Sequence, residues 1–164
     1  MTESSHLAEA LEGLFVTPDI LWFTTYPAIV EGLTAGQAAS APGPRFNSVW
    51  AITNHLCLCQ RYALALLRGE PVDPAVFFAE GAWPPVKDPG DELVWQQAKA
   101  DLLAANHALA ECVAGLPVEA LGQDVAPGQF KRYPYILGHL AHNSYHLCEM
   151  ISTRHMLGLW LEKT

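Results

Sequence analysis

The chain has 164 residues, of which 51% are hydrophobic and 16% charged, a balance that fits one globular domain with its own core and excludes a disordered chain. A net charge of −8, with Lys131-Arg132 as the densest basic pair, argues against a nucleic-acid partner. No uninterrupted apolar run reaches bilayer length, and Met1-Thr2-Glu3-Ser4-Ser5-His6 lacks the basic-then-apolar pattern of a signal peptide, so the expectation is a cytoplasmic protein with no membrane partner.

The pattern along the chain is helical throughout, punctuated by proline and glycine, with no strand alternation of useful length. Residues 5–33 form a first helical region, with Leu7, Leu11, Leu14 and Phe15 and then Leu21, Trp22, Ile29 and Leu33 at helical spacing. Thr17-Pro18 has the form of a cap followed by a first-turn proline, and Pro18 and Pro27 either kink one helix or separate shorter ones. Thr34 to Phe46 is an Ala/Gly/Pro-rich linker with room for one turn at Thr34-Ala35-Gly36-Gln37. Asn47 or Ser48 caps a second helix, which runs to Arg68 and stops at Gly69. Residues 69–88 make a loop holding Pro71, Pro74, Pro84 and Pro85 together with Phe77, Phe78 and Trp83, and these aromatics suit a lid folded back over the helices. Asp88-Pro89 repeats the cap-then-proline signal and starts a third helix to Val113, with Leu93, Leu102, Leu103 and Leu109 on its apolar side. A connector over 116–132, with a turn at Val118 to Leu121, leads to a fourth helix from Tyr133 to Leu157 that stops at Gly158. The fold class is all-α: a single domain over 1–164 built as a four-helix bundle, with extra short helical turns in the connectors.

Chemistry concentrates in the histidines. His142 and His146 stand four apart on the fourth helix, so their imidazoles stack on one face and can clamp one divalent metal; imidazole suits zinc, nickel, copper and iron. A third donor is needed, and His55 in the second helix is the candidate. Three histidines with a coordination position left open suit a reactive metal site better than a structural one. Cys57 and Cys59 point about 200° apart on a helix and make a poor chelating pair. Cys59 follows His55 by one turn and can approach the same face, whereas Cys57, Cys112 and Cys148 read as small core residues of a reducing compartment. His139 and His107 read as packed or core-facing, and His6 and His155 as surface residues. Trp22, Trp50, Trp95 and Tyr145 read as core, and Trp160 as a cap on the bundle or part of a dimer contact.

Two stretches resemble the motifs of the DinB-like superfamily. Gly138-His139-Leu140-Ala141-His142-Asn143-Ser144-Tyr145-His146-Leu147-Cys148-Glu149-Met150, followed by Arg154 and Leu157-Gly158, is similar to that family's closing HxxxH motif. Asn47-Ser48-Val49-Trp50-Ala51-Ile52-Thr53-Asn54-His55-Leu56 resembles its other motif, which ends in a lone histidine. The order and separation match, so the resemblance covers nearly the whole chain. It implies a DinB-like four-helix bundle, commonly a homodimer, with zinc or nickel on His55, His142 and His146. The activity it implies is that of a thiol S-transferase joining a low-molecular-weight thiol to an electrophile. A metal-dependent hydrolase and a non-catalytic metal- or small-ligand-binding protein of a stress response remain alternatives. One departure stands out: where the family often has Gly-Gln, this chain has Cys148-Glu149. Glu149 lies within about 60° of both His142 and His146 on the helix face. Its carboxylate is expected to accept a hydrogen bond from a ligating imidazole, to act as a general base, or to serve as a fourth ligand, unless it belongs to a rim or subunit contact.

Overall fold

A computed structural model describes residues 1–16, 23–79 and 81–161, and among these the chain is all-helical, with no strand beyond one isolated bridge pairing Asp124 and Lys131. Four long helices, α1 (Glu3–Gly13), α4 (Val49–Leu67), α6 (Glu92–Ala114) and α7 (Arg132–Met156), enclose the core. Three short helices, α2 (Tyr26–Val30), α3 (Ala35–Ala39) and α5 (Pro74–Phe77), and a 3₁₀ turn at Val118–Gly122 lie in the connectors.

The helix ends follow from local chemistry. Ser48, not Asn47, caps α4, its hydroxyl accepting from the Ala51 N–H at 3.1 Å, and Gly69 ends the helix by taking φ +72°. Thr34 and Gln37 form a capping box that nucleates α3 where a single turn was expected. The first helical region is not continuous: α1 stops at Gly13, and α2 begins afresh at Tyr26 with Pro27 in its first turn, where a missing N–H costs nothing. Thr17-Pro18, Leu21 and Trp22 lie outside the described residues.

The third helix starts later than the Asp88-Pro89 signal predicts. Asp91 is the cap, accepting from the N–H groups of Leu93 and Val94 at 2.8 and 3.3 Å. Asp88 has φ +46°, incompatible with the extended backbone of an N-cap, so Pro89 sits in the turn before the helix. Leu93 consequently points outward from the first turn, 81% exposed.

α6 packs against both α1 and α4, and α4 packs against α7. His55 faces His142 and His146, while Ala63, two turns further along α4, shares a small void with Ile136 and His139, so α4 and α7 run antiparallel. Two apolar clusters fill the interior. One gathers Phe15, Tyr26, Trp50, Ile52, Leu56, Trp95, Leu102 and Met150; the other holds Leu7, Leu11, Ala63, Leu67, Leu109, Val113 and Ile136. Trp50 and Trp95 meet at 5.2 Å between ring centroids, and the Trp95 indole donates to the Leu33 carbonyl. Arg154 reaches from α7 to the Ile29 and Glu31 carbonyls and so ties α7 to α2 and the turn after it.

Candidate metal centre

Two antiparallel helices supply the centre. On α7 the i,i+4 spacing stacks His142 and His146, and α4 delivers His55 against both from across the interface. The three rings form a compact triangle, with centroids 5.2 Å apart for His55–His142, 4.7 Å for His55–His146 and 4.6 Å for His142–His146. One ligand atom from each lies within 4.8 Å of the others, close enough to hold a metal ion.

Hydrogen bonds determine which nitrogen each ring offers. His55 Nδ1 is 2.6 Å from the Ala82 carbonyl. A carbonyl only accepts, so that nitrogen carries the proton and Nε2 keeps its lone pair. His146 Nδ1 is 2.8 Å from Glu149 Oε2, which fixes His146 in the same way. The His55 and His142 Nε2 atoms are 3.2 Å apart. Tetrahedral ligation at about 2.1 Å places neighbouring nitrogens roughly 3.4 Å from each other, so this edge already has the right length. His142 Nδ1 is buried and has no hydrogen-bond partner among the described residues, so nothing there sets its tautomer.

On α7 the surroundings favour the neutral imidazole, the form that ligates. Burial, helped by His146 and His55, pushes His142 down to about 4. Burial also lowers His146, against the opposing pull of its hydrogen bond to Glu149. Burial and the adjacent His142 take His139 to about 4.

Glu149 divides its carboxylate between two partners: one oxygen accepts from His146, the other from Asn47 Nδ2 at 3.0 Å. It touches the cluster through His146. Cys59 is a neighbour of His55, with Sγ 3.7 Å from Nε2, and stands outside the group of three imidazoles; burial raises its thiol to about 11. His139 packs beside His142 with rings 5.9 Å apart. His107, expected to face the core, is instead on the surface, 2.7 Å from Glu12 and 3.5 Å from Glu111.

Sequence reasoning passed over three neighbours of the centre. Trp83 stacks on His55 at 4.1 Å with the planes 12° apart, and meets His146 edge-on at 5.6 Å. The 69–88 loop thus does lie over the helices, and the lid expectation, though it included Trp83, assigned it no partner. Tyr145, expected in the core, is 60% exposed and packs on His146 at 4.2 Å. Asn47 appeared only as a rival cap; with Ser48 capping, its amide is free to hold Glu149.

No helix among the described residues is long and apolar enough to cross a membrane. Comparisons with family models, with curated proteins and with solved structures found no match to this chain.

Proposed function

We propose that this chain is a divalent-metal-dependent thiol S-transferase with a DinB-like fold, in which α1, α4, α6 and α7 form the four-helix bundle. The observation that carries the reading is the convergence of His55, His142 and His146, two of them already set as Nε2 donors by Ala82 and Glu149. Three imidazole donors suit zinc or nickel and would leave a coordination position open. A divalent metal held there supplies a Lewis acid that lowers the pKa of a small thiol, making thiolate available near neutral pH. The protein's share is orientation and surroundings. Ala82 and Glu149 fix two of the rings, and Trp83 and Tyr145 offer aromatic surface beside them for an electrophilic second substrate.

Glu149 has both oxygens engaged, so it holds His146 in place rather than collecting a proton. The proposal includes a cytoplasmic setting, where small thiols are kept reduced, and a homodimer. Exposed Tyr133, Leu137 and Met156 along α7 support the latter as apolar surface for a second copy.

The test is a panel of low-molecular-weight thiols and electrophiles offered to zinc- and nickel-loaded protein. Transfer is expected with loaded wild type, and its loss with chelator and with His142→Ala at unchanged helical circular dichroism. Ester hydrolysis without thiol would instead favour the hydrolase. Metal binding without any turnover would favour the non-catalytic binding protein.

A further inference from the structure

We infer that the Ala82–Trp83 segment is a positioning element that makes His55 a metal ligand through Nε2 and, by staying shut over that ring, governs how fast the metal leaves. The inference rests on the metal-site reading above.

A neutral imidazole in water is free to carry its proton on either nitrogen, and favours Nε2. A His55 in that form would present a proton, not a lone pair, to its partners. The Ala82 carbonyl at 2.6 Å removes the choice by demanding the proton at Nδ1. The chain aims that carbonyl by turning at Gly81, whose φ of +84° is costly for any residue with a Cβ. Trp83 then lies flat on the ring, 4.1 Å away and 12° from parallel, so the imidazole cannot swing out while the indole is in place. Asn54, immediately before His55 on α4, donates to the Pro85 carbonyl at 3.4 Å and ties the far end of the segment to the same helical turn. Four consecutive features therefore bear on one side chain: the Gly81 turn, the Ala82 acceptor, the Trp83 plate and the Pro85 tether.

The three imidazoles are held by different means. His146 is fixed by Glu149 within its own helix, and His142 Nδ1 has no partner among the described residues. Among the three rings, His55 is the one whose Nδ1 hydrogen bond comes from the 81–85 segment, which can open without disturbing the core. A metal bound to His55 Nε2 favours the Nδ1–H form and so strengthens the bond to Ala82. Closure and metal retention reinforce one another as a matter of linkage. His146 serves as the internal control, since nothing in the segment sets its tautomer.

The experiment compares wild type with Trp83→Ala, Gly81→Ala and the conservative Trp83→Phe. Proton–nitrogen correlation spectra of the imidazoles in metal-free protein read each tautomer, and transfer of zinc from loaded protein to a chelator reads release. Wild type and Trp83→Phe are expected to keep His55 in the Nδ1–H form. Trp83→Ala and Gly81→Ala should show His55 as a mixture with His146 unchanged, and should release zinc faster by roughly 10-fold or more, as when a ligand's supporting partner is lost. Both changes fall in a surface loop, so helical circular dichroism should stay at the wild-type value. A His55 that remains wholly Nδ1–H in both Trp83→Ala and Gly81→Ala, with release at the wild-type rate, overturns the inference and leaves the metal site standing. A wild type that takes up no zinc overturns both.

Discussion

Glu149 bears on the histidine cluster through one of its rings. Its Oε2 takes the Nδ1–H of His146, and its Oε1 takes the Asn47 amide, so the carboxylate ties a ring on α7 to the residue before the α4 cap. Glu149→Gln is expected to weaken zinc affinity by about 10–100-fold while leaving helical content and thermal midpoint near wild type. Competition titration against a chelator measures it, and an unchanged affinity would reduce Glu149 to a surface contact. Glu149, His146 and His142 were legible in the sequence because helical periodicity converts spacing into direction, offsets of three and four putting them on one face; His55 was reached only as a candidate third donor on another helix and through the family resemblance. Ala82, Trp83 and Asn47 were not legible as partners. Ala82 acts through a backbone carbonyl, which carries no sequence signal, and Trp83 reaches His55 from 28 positions away along an irregular loop.

At the scale of the helices, the centre depends on α4 and α7 meeting in one register, and the residues between the two apolar clusters bear on that. Gln60 on α4, Asn106 on α6 and Asn143 on α7 are each fully buried at the boundary between the clusters. Asn106 donates to the Leu11 carbonyl at 3.4 Å, whereas the side-chain amides of Gln60 and Asn143 have no hydrogen-bond partner among the described residues. A buried amide without a partner is destabilising, and an apolar side chain of similar size is not. Gln60→Leu should therefore raise the stability of the metal-free protein by about 1 kcal/mol in urea unfolding; a loss of that size would mean that the amide is satisfied after all. Helix identities were readable from periodicity and caps. Helix starts were less so, because the cap-then-proline pattern at Asp88-Pro89 does not reveal backbone φ: at Asp88 the left-handed value rules out capping, and the helix starts from Asp91. The choice between a kink and a break after α1 stayed open in the sequence, since apolar spacing alone continues through it.

For the molecule as a whole, the half-buried histidines of α7 couple stability to pH. His139 and His142 both lie at about 4 in the folded chain, against the ordinary value near 6.5. As pH falls below 6.5 the unfolded chain binds protons that the folded chain refuses, so the unfolded state gains and stability drops; below 4 the folded chain takes them up too, and these groups add no further slope. His107, raised by its hydrogen bond to Glu12, works in the opposite direction from the surface. Urea midpoints of chelator-treated protein should be flat above about pH 7 and fall steadily toward about pH 5. A midpoint that rises on acidification would mean that these imidazoles are charged in the folded state.

The central claim, that His55, His142 and His146 together hold one divalent metal, is tested most directly by X-ray absorption on zinc-loaded, dialysed protein, with His142→Ala as its partner. The account predicts one zinc per wild-type chain, with three imidazole nitrogens at about 2.0–2.1 Å and one oxygen donor completing the set, and loss of stoichiometric zinc from His142→Ala. A wild type that retains no zinc, or a His142→Ala variant that keeps the same zinc with the same number of nitrogen ligands, would contradict it.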